Sequence, residues 1–423
     1  MSQNNLTPIR RITHSVKHHF FGYYDKCPWS INGRMLLTME VDFNDRFPVN
    51  DTAGLGIIDL GNHREIDIIG HTRAWNWQQG AMLQWLSSNP NSIIYNDRID
   101  QEFVSVKLSI TNGKKEILPR PIAALSHSGK TALSLNFARL YNTRRDYGYA
   151  GLSDPGEIQL YPKNDGIYSL DLNSGQYRLI ITIDQVAAYE PETSPRGVRH
   201  WINHLAYNPN DTRFCFLHRF ENPHSQGFGT RLFTANLDGS DLRCLWNNHI
   251  SHFDWCDNDH ILAWAVKKSS STNASRTKAN ALRFLKQYKW LYRRLKMSSF
   301  LRSNIYGGAF FLFHDTVNKN NQPKIIGKNI LTEDGHCTYS PDRKWIILDT
   351  YPDLHNNRHL LLYNIEKQKY TNIGGFFSPP NLTNELRCDL HPRWSRDGKQ
   401  ICIDSAHEGS RQVYIVDISR LVK

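Results

Sequence analysis

LHPRWSRDGKQICIDS, residues 390–405, decides the fold because it recurs. It is a short polar segment, a turn rich in Ser, Asp and Gly, then an alternating apolar strand. The same three parts appear in CPWSINGRMLLTM (27–39), MLQWLSSNPNSIIYND (82–97), IAALSHSGKTALSLN (122–136), INHLAYNPNDTRFCFLH (202–218), ISHFDWCDNDHILAWA (250–265) and GHCTYSPDRKWIILDT (335–350). A turn cluster between period-2 strands is the local signature of a β-hairpin. A second class of strand follows each copy: LGIIDL, VSVKLSI, GIYSLDLNSGQYRLI, RLFTANLDGSDLRCL, AFFLFHD, HLLLYNIEKQKYTNI and RQVYIVDIS. Two hairpins per repeat give a four-stranded sheet, which cannot bury both faces alone. Seven such sheets packed radially can, so the pattern predicts an all-β, seven-bladed propeller over residues 1–423. The last copy runs out near Val422 without an outermost strand, while IRRITH (9–14) is a spare strand-like piece. That piece is expected to complete the last blade and close the ring.

A chain of 423 residues could hold two or three average domains, and the repeats choose one large assembly instead. Hydrophobic residues make up 39% and aromatic ones 12%, enough for a buried core and against wholesale disorder. The seven cysteines include no CxxC pair and are odd in number, which fits reduced thiols better than a disulfide framework. The N-terminal stretch is polar, without the apolar run of a signal peptide, and no stretch approaches 18 apolar residues. A cytoplasmic protein is the expectation.

The hairpin turns are spaced at about a blade's length except from 129 to 210 and from 258 to 342, where the distance nearly doubles. The surplus is an aromatic, proline-containing stretch (YGYAGLSDPGEIQLYPKNDG and AAYEPETSPRGVRHW) and a basic insert at 267–303. Lys267 to Arg302 holds 11 Lys or Arg and no acid; without them the remaining 40 bases meet 40 acids, so the net charge of +11 belongs to this insert. Apolar positions 281, 284, 285, 288, 291, 292 and 295 follow helical spacing, with cations on the opposite face. A basic amphipathic helix of this kind suits an anionic membrane surface, here through residues 278–302 and at the inner membrane face. The plainer alternative is a helix packed on the propeller with a solvated charged face. No nucleic-acid-binding fold is recognisable, so nucleic acid is not expected as a partner.

In a propeller the innermost strands line a central channel, so residues just before or within them converge. That gathers His18, His19, Tyr23, Tyr24, Trp75, Trp77, Gln78, Gln79, Asn136, Arg139, Asn203, His204, His252, His336, Asp389 and His391. A single histidine in a repeat usually packs or caps. Four of them preceding the turn at equivalent places (His204, His252, His336, His391), with a carboxylate at Asp389, suit a divalent cation.

The order FFGYYDKCPWSINGRMLLTMEVDF, RLFTANLDGSDLRCLW, ISHFDW, GHCTYSPD and LHPRWSRDGKQ resembles the oligogalacturonate lyase family, seven-bladed propellers that cleave uronate oligosaccharides by β-elimination. AWNWQQGAMLQW, NSIIYNDR and PIAALSHSGKTALSLNFARL are similar to relatives of the ulvan lyases, also seven-bladed propellers. The resemblance covers almost the whole chain except the basic insert. It implies that Arg231 and His252 are catalytic and that His336 and His391 bind metal, with Asp389 where the family has a third metal histidine. Where the family has a glutamine ligand this chain has Leu386, or Glu385 with a one-residue slip, and in place of the ulvan lyases' paired catalytic histidines NFARLYNTRRDYGYAG offers Arg139, Tyr147 and Tyr149.

β-Elimination removes a proton α to a carboxylate, and the charge that accumulates there needs a cation and an arginine. His252 is expected as the base, Arg231 as the charge stabiliser and Tyr23 or Tyr24 as the acid. A cation at His336, Asp389 and His391 is expected to be Mn2+, with Zn2+ or Ca2+ as alternatives. Trp75, Trp77, Gln78, Arg139, His204 and Arg219 are the expected substrate contacts. The implied function is metal-assisted cleavage of an acidic oligosaccharide. A non-catalytic propeller binding acidic glycan or protein at a membrane surface is the main rival, and a hydrolase using the same channel is a third reading.

Overall fold

Seven separate four-stranded antiparallel sheets follow one another along the chain. The structure is a computed structural model and describes residues 7–61, 65–222, 227–267, 308–316 and 322–423. Blade 1 comprises His18–Phe20, Met35–Val41, Ala53–Asp59 and Ile66–Thr72. Blades 2 to 6 begin with innermost strands Gln84–Trp85, Ala124–Leu125, His200–Tyr207, Ile250–Trp255 and Cys337–Tyr339. In blade 7, Arg393–Trp394, Gln400–Ser405 and Gln412–Asp417 are completed by Ile9–Arg11 from the N-terminus. Ile9 lies opposite Val416, Arg10 opposite Ile415 and Arg11 opposite Tyr414, so the first strand of the chain is the last strand of the ring. Thr13 strengthens the seam, donating to Gln412 Oε1 at 2.6 Å and accepting from the Val413 amide at 3.0 Å.

Central strands such as Gln412–Asp417 are buried on both faces because each sheet is sandwiched between two others. The apolar clusters therefore lie between blades. Leu217 and Leu232 of blade 4 pack with Ile261 and Phe313 of blade 5, and Leu262 and Phe310 of blade 5 with Ile346 and Leu348 of blade 6. Val413 and Ile415 of blade 7 meet Leu36 and Ile58 of blade 1, closing the circle. Each such aliphatic side chain contributes about 1.5–3 kcal/mol.

Antiparallel order puts the start of each innermost strand, the end of the second and the start of the third on one face of the ring. Blade 3 fills that face between its second and third strands with helix Phe137–Thr143, capped by the Asn136 side chain, and a 3-10 turn at Arg145–Tyr147. In blade 5 the second strand ends at Val266 and the third starts at Gly308, so the basic segment leaves and re-enters on this face. Its expected helix lies outside the described residues.

Candidate functional site

The four histidines expected to converge do so, through local departures from regular strand. The pairing of blade 4's innermost strand shifts register between Asn203 and Ala206, and His204 sits in that bulge with φ +51°. His252 occupies the corresponding shift between Ile250 and Phe253 in blade 5. His391 has φ +44°. Bulges and left-handed non-glycine residues re-aim side chains at a backbone cost that function commonly explains.

The His252 and His336 ring centroids are 4.1 Å apart, and those of His336 and His391 are 4.3 Å apart. Tyr23 joins them, stacked on His204 at 5.0 Å with its hydroxyl 3.4 Å from His204 Nε2. Asp334 accepts from His252 Nδ1 at 2.8 Å. Asp349 contacts His336 Nδ1 at 3.0 Å and also accepts from the His391 amide at 3.2 Å, so one carboxylate on blade 6's second strand orients both metal-site histidines. With each Nδ1–H given to an aspartate, the Nε2 lone pairs of His252 and His336 are free to act. Burial, reinforced by His336, holds the His252 pKa below the usual histidine value, and burial holds those of His204 and His391 well below it. These three rings are neutral near pH 7 and suited to accept a proton or a metal.

Asp389 lies between two guanidiniums, with Oδ1 2.7 Å from Arg358 Nη2 and Oδ2 2.7 Å from Arg387 Nε. Burial works to raise its pKa, but Arg358 and Arg387 outweigh burial and hold it well below the carboxylate range. Only the Arg387 contact is an aligned hydrogen bond. Asp389 Oδ1, His336 Nε2 and His391 Nε2 are buried with no hydrogen-bond partner. One donor atom from each of these three residues lies within 4.8 Å of the others. Two unpartnered imidazole nitrogens converging with an ion-paired carboxylate fit a divalent cation.

Other expected residues lie elsewhere. Arg231 is fully buried on blade 4's third strand, where it donates to His218 Nδ1 and to the carbonyls of Tyr189 and Val186 and the hydroxyl of Thr193. It is not brought to the histidines. Arg219 is, its charge helping to lower the His204 pKa; its guanidinium lies 4.5 Å from the Phe228 ring, shared with Arg144 at 4.9 Å, and its Nε and Nη1 have no partner. Burial with Arg144 alongside lowers the Arg219 pKa to about 9. Tyr24 reaches the cluster, 5.1 Å from His336, but its hydroxyl is held by the Phe253 carbonyl and amide, both at 3.0 Å. Trp75 and Trp77 are core, their indoles donating to the Asp51 and Arg46 carbonyls. Arg139 is buried under the blade 3 insert, paired with Asp154. Gln78 touches the rim by donating to the Arg387 carbonyl at 3.0 Å.

The sequence pattern did not single out Arg144, Asp146, Tyr351, Arg358 or Arg387. Asp146 receives Arg144 at 3.2 Å and Arg387 at 3.0 Å, and Arg387 Nη2 donates to the Tyr147 hydroxyl at 3.1 Å, tying the blade 3 insert across the mouth to the loop before blade 7. Tyr351 is 41% exposed and 6.3 Å from the His252 ring, at the open side. A cavity of about 380 Å³ lies elsewhere, at the rim of blades 2 and 3, where Arg120 stacks on Tyr168 at 3.6 Å. It holds none of the clustered histidines, and the orphaned donors locate the candidate chemistry in the channel.

No family model and no curated protein matches the sequence. Among solved structures, the fold is similar to oligogalacturonate lyase from Vibrio parahaemolyticus, with TM-score 0.64 and 13% identity over 98% of this chain and 94% of that one. It is also similar to an oligogalacturonate lyase in complex with manganese, with TM-score 0.63 and 14% identity over 97% and 92% of the two chains. The tricorn protease matches at TM-score 0.50 and 11% identity over 95% of this chain and 34% of that one. The class so defined is the seven-bladed β-propeller. Its architecture most resembles a lyase among these three, and likeness at this identity speaks to the fold alone. No helix among the described residues is long and apolar enough to cross a membrane.

Proposed function

We propose that the protein is a carbon–oxygen lyase that cleaves uronate-containing oligosaccharides by β-elimination. The observation that carries this reading is His252, whose Nδ1 is held by Asp334 at 2.8 Å so that Nε2 is left to take a proton, beside the unpartnered Nε2 atoms of His336 and His391. His252 takes the proton α to the uronate carboxylate. Arg219, with two unpaired N–H groups, faces the charge that develops, the role that the family resemblance gave to Arg231. Tyr23, whose hydroxyl is not held by backbone as that of Tyr24 is, protonates the departing oxygen. His336, Asp389 and His391 would hold a divalent cation, Mn2+ first and Zn2+ or Ca2+ as alternatives. Bound there, the cation supplies Lewis-acid neutralisation of the carboxylate. The test is a panel of uronate oligosaccharides with Mn2+, followed by the ultraviolet absorbance of an unsaturated uronate. A flat trace across the panel, with no metal by elemental analysis, rejects the reading.

The second reading is an acidic-glycan binder without turnover, favoured by the Asp146–Arg387 ion pair that spans the mouth. Tight binding of the same oligosaccharides with the flat trace would select it. We propose further that residues 278–302 hold the protein on an anionic membrane at the inner face, with the site's face toward the lipid, on the strength of the acid-free run of 11 cations. Deleting 270–300 should free the folded protein from anionic liposomes; unchanged pelleting rejects the attachment.

A further inference from the structure

Asp389 stands in a place where its charge is already in use. Arg358 comes from blade 6's third strand and Arg387 from the loop before blade 7, and both are drawn to a carboxylate that is 2% exposed. The two contacts differ in kind. Arg387 makes an aligned hydrogen bond to Oδ2 and is anchored on its far side by Asp146 and the Tyr147 hydroxyl. Arg358 approaches Oδ1 at 2.7 Å without hydrogen-bond alignment, its Nε has no partner, and its Nη1 makes only a 3.4 Å contact with the Thr350 carbonyl. Arg358 is thus a buried guanidinium with an unused donor, ion-paired to the carboxylate that a metal would share.

A dication arriving at the Asp389 carboxylate, His336 Nε2 and His391 Nε2 meets Arg358 at close range in a desolvated setting. Like charges there repel with little screening. An incoming carboxylate changes both sides of the balance. Arginine pairs bidentately with carboxylates through adjacent N–H groups, and Arg358 has Nε open beside Nη2. If the ligand's carboxylate takes these two donors, the Asp389 carboxylate is released from Arg358 to the metal and the added positive charge is offset in the same step.

We infer that Arg358 couples metal to substrate: an acidic sugar and a divalent cation bind this site cooperatively, because Arg358 exchanges Asp389 for the ligand carboxylate. The inference rests on the metal and uronate reading above. It predicts weak metal binding by the protein alone, and thermodynamic linkage requires the reciprocal effect on the sugar.

The experiment is titration of the full-length protein with Mn2+, reading free aqueous Mn2+ by electron paramagnetic resonance, with and without digalacturonate. No turnover is needed. In the wild type, saturating digalacturonate should tighten Mn2+ binding by about tenfold or more, a coupling within the usual range for linked sites. In Arg358→Gln, Mn2+ should bind the free protein more tightly than it binds wild type, and the sugar's effect should fall below about twofold. Mn2+ binding that is indifferent to digalacturonate in the wild type overturns the coupling while leaving the metal reading standing. Absence of Mn2+ binding in every arm removes both. Should Arg358→Gln fail to fold, Arg358→Lys, which keeps the charge but not the bidentate fork, takes its place, and an undiminished sugar effect in the variant overturns the role of Arg358.

Discussion

The imidazoles of His252 and His336 face each other at 4.1 Å, one from blade 5 and one from blade 6, each braced by its own aspartate. Burial, with His336 this close, disfavours a charged His252 ring and depresses its pKa. Under the proposed function, His252→Asn should lower the elimination rate by about 100-fold or more, the lower bound for a lost general base. Asp334→Asn should also slow it, since the amide no longer fixes the proton on Nδ1. Initial rates are to be read beside thermal midpoints. Full activity in His252→Asn removes it as the base.

Arg219 and Arg231 separate binding from folding. Arg231 satisfies three main-chain and side-chain oxygens and His218, so Arg231→Gln should destabilise by about 2–4 kcal/mol without changing affinity for acidic sugars. Arg219 is buried with unpartnered donors and, among the described residues, no acid paired with it, so Arg219→Gln should keep or raise the thermal midpoint. The same substitution should weaken acidic oligosaccharide binding by about tenfold or more, a charge-assisted contact's worth. Calorimetry of both variants checks the division, and the reverse pattern would return Arg231 to the site.

These arginines also mark the limit of what the sequence discloses. The hairpin copies and the spare IRRITH strand needed only local turn chemistry and period-2 alternation, and the ring follows from them. Assigning Arg219 or Arg231 to the channel needs strand register. Arg219 lies opposite Thr230 and Arg231 opposite His218, so the two arginines point to opposite faces of one blade. Four histidines and Asp389 were legible because each repeat puts the start of its innermost strand at the channel. Arg387 and Asp146 were not, because their contact joins positions 241 residues apart through an insert that breaks the repeat. Trp75 and Trp77 look like sugar platforms in sequence, yet their indole N–H groups are spent on blade 1 carbonyls.

A buried relay gives the stability a pH slope. Arg231 donates to His218, and His200 Nδ1 lies 2.9 Å from His218 Nε2 while its own Nε2 is 3.0 Å from the Pro195 carbonyl. Burial lowers the His200 pKa to about 4, Arg231 and Arg139 adding to the effect. A depressed histidine binds its proton later in the folded state than in the unfolded chain, where the value is about 6.5. Its contribution, on the order of 3 kcal/mol, is therefore complete above pH about 6.5 and lost as pH falls towards 4. Asp254, raised to about 6 mainly by burial, works in the opposite sense, but His204, His218, His252 and His391 all act with His200. Urea midpoints should fall from pH 7 to pH 5, and His200→Gln should flatten that slope. A midpoint that rises over this interval contradicts the relay.

Closure of the ring by the N-terminus is open to direct test. Ile12 is 3% exposed and its amide donates to the Val413 carbonyl at 3.0 Å, while Thr13 bridges Gln412 and Val413. Removing residues 1–14 costs the burial of Ile12, about 1.5–3 kcal/mol, and several hydrogen bonds of about 1 kcal/mol each. It also leaves Gln412–Asp417 as an unpaired edge, the kind of strand that recruits other chains. The truncated protein should unfold several kcal/mol more easily and self-associate. A synthetic peptide of residues 7–14 added in trans should restore both properties by re-forming the Ile9 to Val416 register. If the truncated chain keeps its midpoint and stays monomeric, the strand is an ornament on a ring that the other 27 described strands hold without it.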